Sequence, residues 1–223
     1  MNISFPRGVG LLTIIIGVDI FIGFLLYGLS FRAFDRMPLL TISAFLITIG
    51  ALLNIMLVWI FHPYVRARSP WFSQLVLITG TTGSLIVFIG AAFDFLDTIV
   101  GHALIILFPL SQTRSIIVVG YAFIGIWLLL LNYHARVHDT WSPGLTWLGI
   151  IAGTIMTLGL LAAPRVFIPY VSLYHRPVPE IAEIVGDLGW KFLYPFWSIW
   201  TGYVFLNGRH SDQHLEGFAR RFR

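Results

Sequence analysis

The fold class that the sequence predicts is an all-α polytopic membrane protein, a bundle of six transmembrane helices, and three observations predict it. The 223 residues are 57% hydrophobic and only 11% charged, against about 25% charged in an ordinary soluble chain. Apolar runs of about 20 residues, the length needed to cross about 30 Å of hydrocarbon as helix, recur along the chain. Proline and charge punctuate the breaks, in "RAFDRMP", "HPYVRARSP", "HARVHDTWSP" and "YHRPVPE".

The first run, Gly8 to Phe31, is too long for a signal-peptide core and has no small-x-small cleavage site, so it is expected to remain as span one. The other spans are placed at 39–61, 71–93, 115–133, 144–167 and 190–207. They form one domain, 1–209, followed by a basic tail, 210–223. Between spans three and four the apolar part of the connection, Ile99 to Leu110, reaches only about 18 Å as helix, which predicts an interfacial or re-entrant segment. The connection before span six is the longer outer loop; Pro179 there suits a first helical position, with Glu180 and Glu183 in the first turns.

Six crossings put both termini on one side. That side holds Arg7, Arg66, Arg68, Arg136, Arg209, Arg220, Arg221 and Arg223, and the other holds Arg32, Arg36, Arg114, Arg165, Arg176 and Lys191. Eight against six predicts cytoplasmic termini. The net charge of +4 is scattered over loops and tail rather than gathered in a stripe, which argues for membrane orientation and against nucleic acid. The expected surroundings are the lipid bilayer, with other membrane subunits or a second copy as candidate partners.

Trp59, Trp71, Trp141, Trp147, Trp190 and Tyr194 fall near span ends, where amphipathic rings favour the headgroup region, whereas Trp127, Trp197 and Trp200 fall deeper. "PLLTISAFLITIG" from Pro38 and "PGLTWLGIIAGTI" from Pro143 share Pro-x-Leu-Thr, as an inverted repeat of three spans would.

Asp19, in "GVDIFIGFLLYG", sits at the middle of span one with no Lys or Arg at that depth in the other spans. An intramembrane carboxylate is costly unless partnered or wet. The neutral groups available to it are Asn54 and the hydroxyls of "TGTTGS", namely Thr79, Thr81, Thr82 and Ser84. An interhelical hydrogen bond is one reading; a proton or cation site is the other. Gly149, Gly153 and Thr157 at four-residue spacing, with Gly80 and Ser84, read as close helix packing.

The outer side collects Asp94, Asp97, His102, His175, Glu180, Glu183 and Asp187, either a solvated rim or a divalent-cation site. "HARVH" puts His134 and His138 on one helical face without a zincin glutamate. No cysteine is present, which removes thiolate chemistry and Cys-ligated clusters. No nucleophile elbow, Walker loop or dinucleotide fingerprint occurs. The histidines lie in loops or at span ends, which argues against haem, and the sequence specifies no cofactor.

"WSPGLTWLGIIAGTIMTLGLL" (141–161) and "LYPFWSIWTGYVFLNGR" (193–209) resemble the fifth and sixth spans of the bacterial DUF4386-type small integral membrane proteins. The resemblance implies a six-span bacterial inner-membrane protein and assigns no catalytic residues. Three functions are compatible with these features: a non-catalytic membrane protein, either an accessory or structural subunit or a small standalone bundle; a small proton-coupled transporter using Asp19; and a metal-dependent lipid hydrolase using the outer acids and histidines.

Overall fold

The computed structural model describes residues 5–31, 37–100, 110–164 and 177–207, and among them every regular element is helical. In chain order these are α1 (Phe5–Ser30), α2 (Met37–Arg66), α3 (Pro70–Val100), α4 (Leu110–Val137) and α5 (Pro143–Thr157), extended as a 3-10 turn over Leu158–Ala162. Then come α6 (Pro177–Leu188), a π-helical turn over Gly189–Leu193, and α7 (Tyr194–Leu206). Among the described residues five stretches are long and apolar enough to cross a membrane: Arg7–Ser30, Met37–Arg66, Pro70–Val100, Arg114–Val137 and Pro143–Ala162. Their outward faces carry large apolar side chains, among them Trp59, Trp71, Ile78 and Phe45, all exposed; water would penalise such a surface and hydrocarbon does not.

The sixth expected span, 190–207, is not one of the five. It is divided between the π turn and the 13 residues of α7, which alone reach about 20 Å. The helix nevertheless runs on from Pro177 to Leu206 without a gap, roughly 45 Å in all. Pro195 accounts for the wide turn. It has no N–H, and its ring crowds the carbonyl four residues back; just before it, the Tyr194 N–H reaches five residues back to the Gly189 carbonyl.

Other boundaries also move. α2 continues through Pro63 to Arg66, because a proline in the last turns costs little further pairing. α3 runs past the expected residue 93 to Val100, so Asp94 and Asp97 are helical. The segment 101–109, most of the expected re-entrant piece, lies outside the described residues, as do the outer connection 165–176 and the tail 210–223. The shared Pro-x-Leu-Thr has a local explanation: Thr41 donates to the Met37 carbonyl at 2.9 Å and Thr146 to the Ser142 carbonyl at 3.1 Å. In both, the hydroxyl serves the carbonyl just before the proline, which is how such a helix start is made.

Packing follows a ring. α1 lies against α2 and α7, α2 against α3, α3 against α4, α4 against α5, and α5 against α7, while α6 and the 3-10 turn lie against each other and against α4. Paired glycines mark four of these seams. A Cβ on Gly202 would stand 2.5 Å from the Gly10 carbonyl oxygen (α1–α7), and one on Gly83 would stand 2.8 Å from that of Gly120 (α3–α4). On Gly153 it would lie 2.7 Å from the Gly125 oxygen (α4–α5), and on Gly186 2.9 Å from the Gly159 Cα (α6 and the 3-10 turn). Such contacts bring backbones together where lipid gives helices no hydrophobic reason to associate.

The indoles divide differently from their sequence placement. Trp59, Trp71 and Trp147 face outward, but Trp141, Trp190 and Tyr194, expected at the headgroup girdle, are buried. Trp127 and Trp197 are buried as well, whereas Trp200, expected deeper, faces outward. The reason is that Trp190, Tyr194 and Trp197 recur at i, i+4 and i+7, one helical face, and that face turns inward.

Gly153→Leu is expected to lower stability in detergent by about 1–3 kcal/mol or prevent folding, as overpacking against a backbone does. Gly28→Ala, where a Cβ meets nothing within 4 Å, is expected to leave the midpoint unchanged or slightly raised. Thermal unfolding followed by circular dichroism distinguishes the two.

Candidate functional site

An aromatic column fills the centre of the ring. Tyr121 stacks on Trp190 with centroids 4.7 Å apart, Trp190 on Tyr194 at 4.8 Å, and Tyr194 on Trp197 at 5.8 Å. Trp197 meets Trp127 edge-on at 6.1 Å and Trp141 at 6.1 Å, and Trp141 meets Phe61 at 5.8 Å. All of these side chains are buried. Offset and edge contacts of this kind add to the area that such rings bury.

Two amides anchor the column. The Tyr194 hydroxyl donates to Asn54 Oδ1, Asn54 Nδ2 donates to Ser84 Oγ at 2.8 Å, and Ser84 donates to the Gly80 carbonyl at 2.8 Å. On the other side Trp197 Nε1 donates to Asn132 Oδ1 at 3.1 Å, and Asn132 Nδ2 donates to the Leu128 carbonyl at 2.8 Å. Gly149 makes room for that amide, since a Cβ there would stand 2.2 Å from Asn132 Cγ; likewise Gly80 faces the Trp127 ring. Thr157 donates back to the Gly153 carbonyl at 2.7 Å. α7 is tied to α1 by Ser198 donating to the Thr13 carbonyl at 2.6 Å, and α2 to α1 by Ser43 donating to that of Gly23 at 2.8 Å.

Two of the outer acids meet cations. Arg114 Nε lies 2.9 Å from Glu183 and its Nη2 3.6 Å from Asp187, while Lys191 lies 2.5 Å from the same Asp187 oxygen. Lys191 also sits over the rings of Tyr27 at 4.8 Å and Phe24 at 5.6 Å. Two carboxylates therefore face two cations, and α6 and the π turn are held to α4 and α1. Glu180, three residues earlier, is exposed, and Asp94 and Asp97 belong to α3. Among the described residues no three His, Asp or Glu side chains converge as for a metal ion; His102 and His175 lie outside them. His134 and His138 do approach, with rings 4.4 Å apart, but His134 stacks on Phe72.

Asp19 is not met by the groups expected to partner it. α1 packs on α2 and α7, whereas Thr79, Thr81, Thr82 and Ser84 are on α3. Thr79 donates to its own helix at the Leu75 carbonyl, 2.8 Å away, Thr81 Oγ1 is buried without a partner, and Ser84 and Asn54 are engaged with each other. The carboxylate instead lies over Gly50 of α2: Oδ2 is buried, has no hydrogen-bond partner, and would be 2.7 Å from a Cβ at that position. Asn132, Tyr194, Arg114 and Lys191 had no place in the sequence-derived sites. Asn132 was readable as a lone amide in "LLLLNY"; the role of Tyr194 depends on which helix faces it.

Tyr194→Phe is expected to cost about 1–3 kcal/mol, because Asn54 Oδ1 is left buried without its donor. Asn54→Leu combined with it should cost less than the sum of the two, read by a double-mutant cycle on unfolding midpoints.

No protein-family model, curated protein or solved structure matches this chain.

Proposed function

We propose that the chain is a non-catalytic integral membrane protein that serves as an accessory or structural subunit beside other membrane proteins. In this reading it crosses the bilayer six times, with the π turn and α7 making the last crossing. The observation that carries it is the filled centre. Aromatic rings occupy the axis, and the polar groups of Asn54, Ser84, Tyr194, Asn132 and Trp197 are hydrogen-bonded to one another or to backbone. A carrier exposes polar groups at the midplane to its solute, commonly at broken helices, and a metallohydrolase needs an open coordination position. The outer carboxylates Glu183 and Asp187, matched by Arg114 and Lys191, also weigh against the hydrolase.

One observation favours a second reading. The unpartnered Oδ2 of Asp19 at mid-span is what a small proton-coupled transporter would use. The lysine and arginine distribution supports cytoplasmic termini, and the DUF4386-type resemblance supports a bacterial inner membrane.

The tagged full chain, extracted from its native membrane in mild detergent, is expected to migrate with a fixed membrane partner at constant stoichiometry. Isolation as a lone species that moves a solute into proteoliposomes, with uptake abolished by Asp19→Asn, would establish the transporter instead. Because the chain has no cysteine, single substitutions report topology cleanly. Ser211→Cys is expected to react with a membrane-impermeant maleimide only after cells are opened, and Ser172→Cys in intact spheroplasts; the reverse pattern would invert the orientation.

A further inference from the structure

We propose that Asp19 is the docking point for a lysine or arginine carried near the middle of a partner's transmembrane helix. This rests on the accessory-subunit reading and names the chemistry of the partner.

Asp19 is half-buried: Oδ2 is enclosed, while the residue's position on α1 leaves its other side open to the outside. Asp19 lies at the midpoint of the stretch Arg7–Ser30. Its neighbours at helical spacing are Ile16 and Gly23, both buried, on one side and Ile15 and Ile22, both exposed, on the other. It therefore sits on the rim of the α1–α2 seam, between protein and lipid. The bare Gly50 backbone seats one oxygen of the carboxylate, and a methyl group there would collide with it.

The described part of the chain supplies no countercharge at this depth. Arg114 and Lys191 are engaged with Glu183 and Asp187, and Arg7, Arg66, Arg68 and Arg136 lie at or beyond helix ends. A carboxyl at mid-bilayer is either protonated or paired when ionised; with no cation at this depth among the described residues, a basic side chain from outside would supply the pairing. The face beside it suits a helix. Leu11, Ile15, Val18, Ile22, Leu25 and Leu29 are exposed in alternating steps of four and three, the seam that a left-handed helix pair uses. Asp19 borders the middle of that row. A second copy of this chain fits less well, since symmetric docking on α1 would bring carboxylate against carboxylate.

The test uses the purified full chain in lipid bilayers, a donor fluorophore on the chain, and acceptor-labelled single-span leucine-rich peptides. The peptides are identical except for lysine or leucine at the central position. The lysine peptide is expected to bind about tenfold more tightly than the leucine peptide, the size of an intramembrane polar contact. That preference is expected to vanish in Asp19→Asn and to be partly retained in Asp19→Glu. Equal binding of the two peptides to the wild-type chain overturns the proposal, and this comparison needs no variant to fold. So does an undiminished preference in Asp19→Asn, or Asp19-dependent energy transfer between two copies of the chain in the absence of peptide. Loss of the lysine preference with a native partner still co-purifying would remove the docking point and leave the accessory-subunit reading; a lysine preference without any native partner would do the opposite.

Discussion

Close backbone approach at glycine, with α4 as the pivot, is the constraint on which the other contacts depend. Gly83 against Gly120 sets α4 on α3, and Gly125 against Gly153 sets α5 on α4. Lipid tails are as apolar as leucine, so helices in a bilayer gain nothing by hiding oil from solvent and must be held by contact density and hydrogen bonds. Once these seams are closed, α4 projects Tyr121, Trp127 and Asn132 toward the centre, where α7 brings Tyr194 and Trp197. The same logic explains why Gly149 matters although it meets no glycine. Its missing Cβ is the space that the Asn132 amide occupies.

The two interior amides, Asn54 and Asn132, follow a single rule: each bridges to another helix and finds its partner there. Asn54 joins α2 to α7 and α3, and Asn132 joins α4 to α7. Buried networks of this kind favour one register, since a one-residue slip would leave donors and acceptors without partners in a medium that offers no water. The rim near the start of α4 uses charge for the same end, with Arg114 and Lys191 gathered around Glu183 and Asp187. Asp19 Oδ2 does not follow the rule, and neither do Thr81 Oγ1, Thr201 Oγ1 or the indole nitrogens of Trp127 and Trp190, all buried without a partner. Asp19 is singled out by its chemistry: it has a fitted seat against Gly50 and no bond there, which costs more for a carboxylate than for a hydroxyl or an indole.

The π turn connects these systems. By widening the helix before Pro195 it lets Trp190 and Tyr194 stack on each other at 4.8 Å on the inner face while Lys191 turns toward Asp187, Phe24 and Tyr27. A straight α-helical turn would leave the proline ring crowding the carbonyl four residues back. Single π turns are found mostly where a helix must aim particular side chains, and here the aimed residues are an aromatic pair and a cation.

Local sequence alone determined the helical class and the places where helices begin, because apolar run length and proline at a first turn act within a few residues of where they are read. Pro70 and Pro143 each open a helix, whereas Pro179, expected at a first helical position, lies two residues inside the helix that Pro177 opens. Gly80, Gly149 and Gly153 were readable as packing positions from their spacing, but their opposite partners, a Trp127 ring, an Asn132 amide and a second glycine, were not. Which acid meets which cation was equally hidden: Glu183 and Asp187 look like ligands in a string of letters, and only the arrival of Arg114 from another helix makes them ion pairs. The hydroxyls of α3 looked available to Asp19 for the same reason, until α2 stood between them. Depth along a helix is written in the chain, whereas the neighbour at that depth is decided by rotation and order around the ring, and those are set by contacts between residues far apart in sequence.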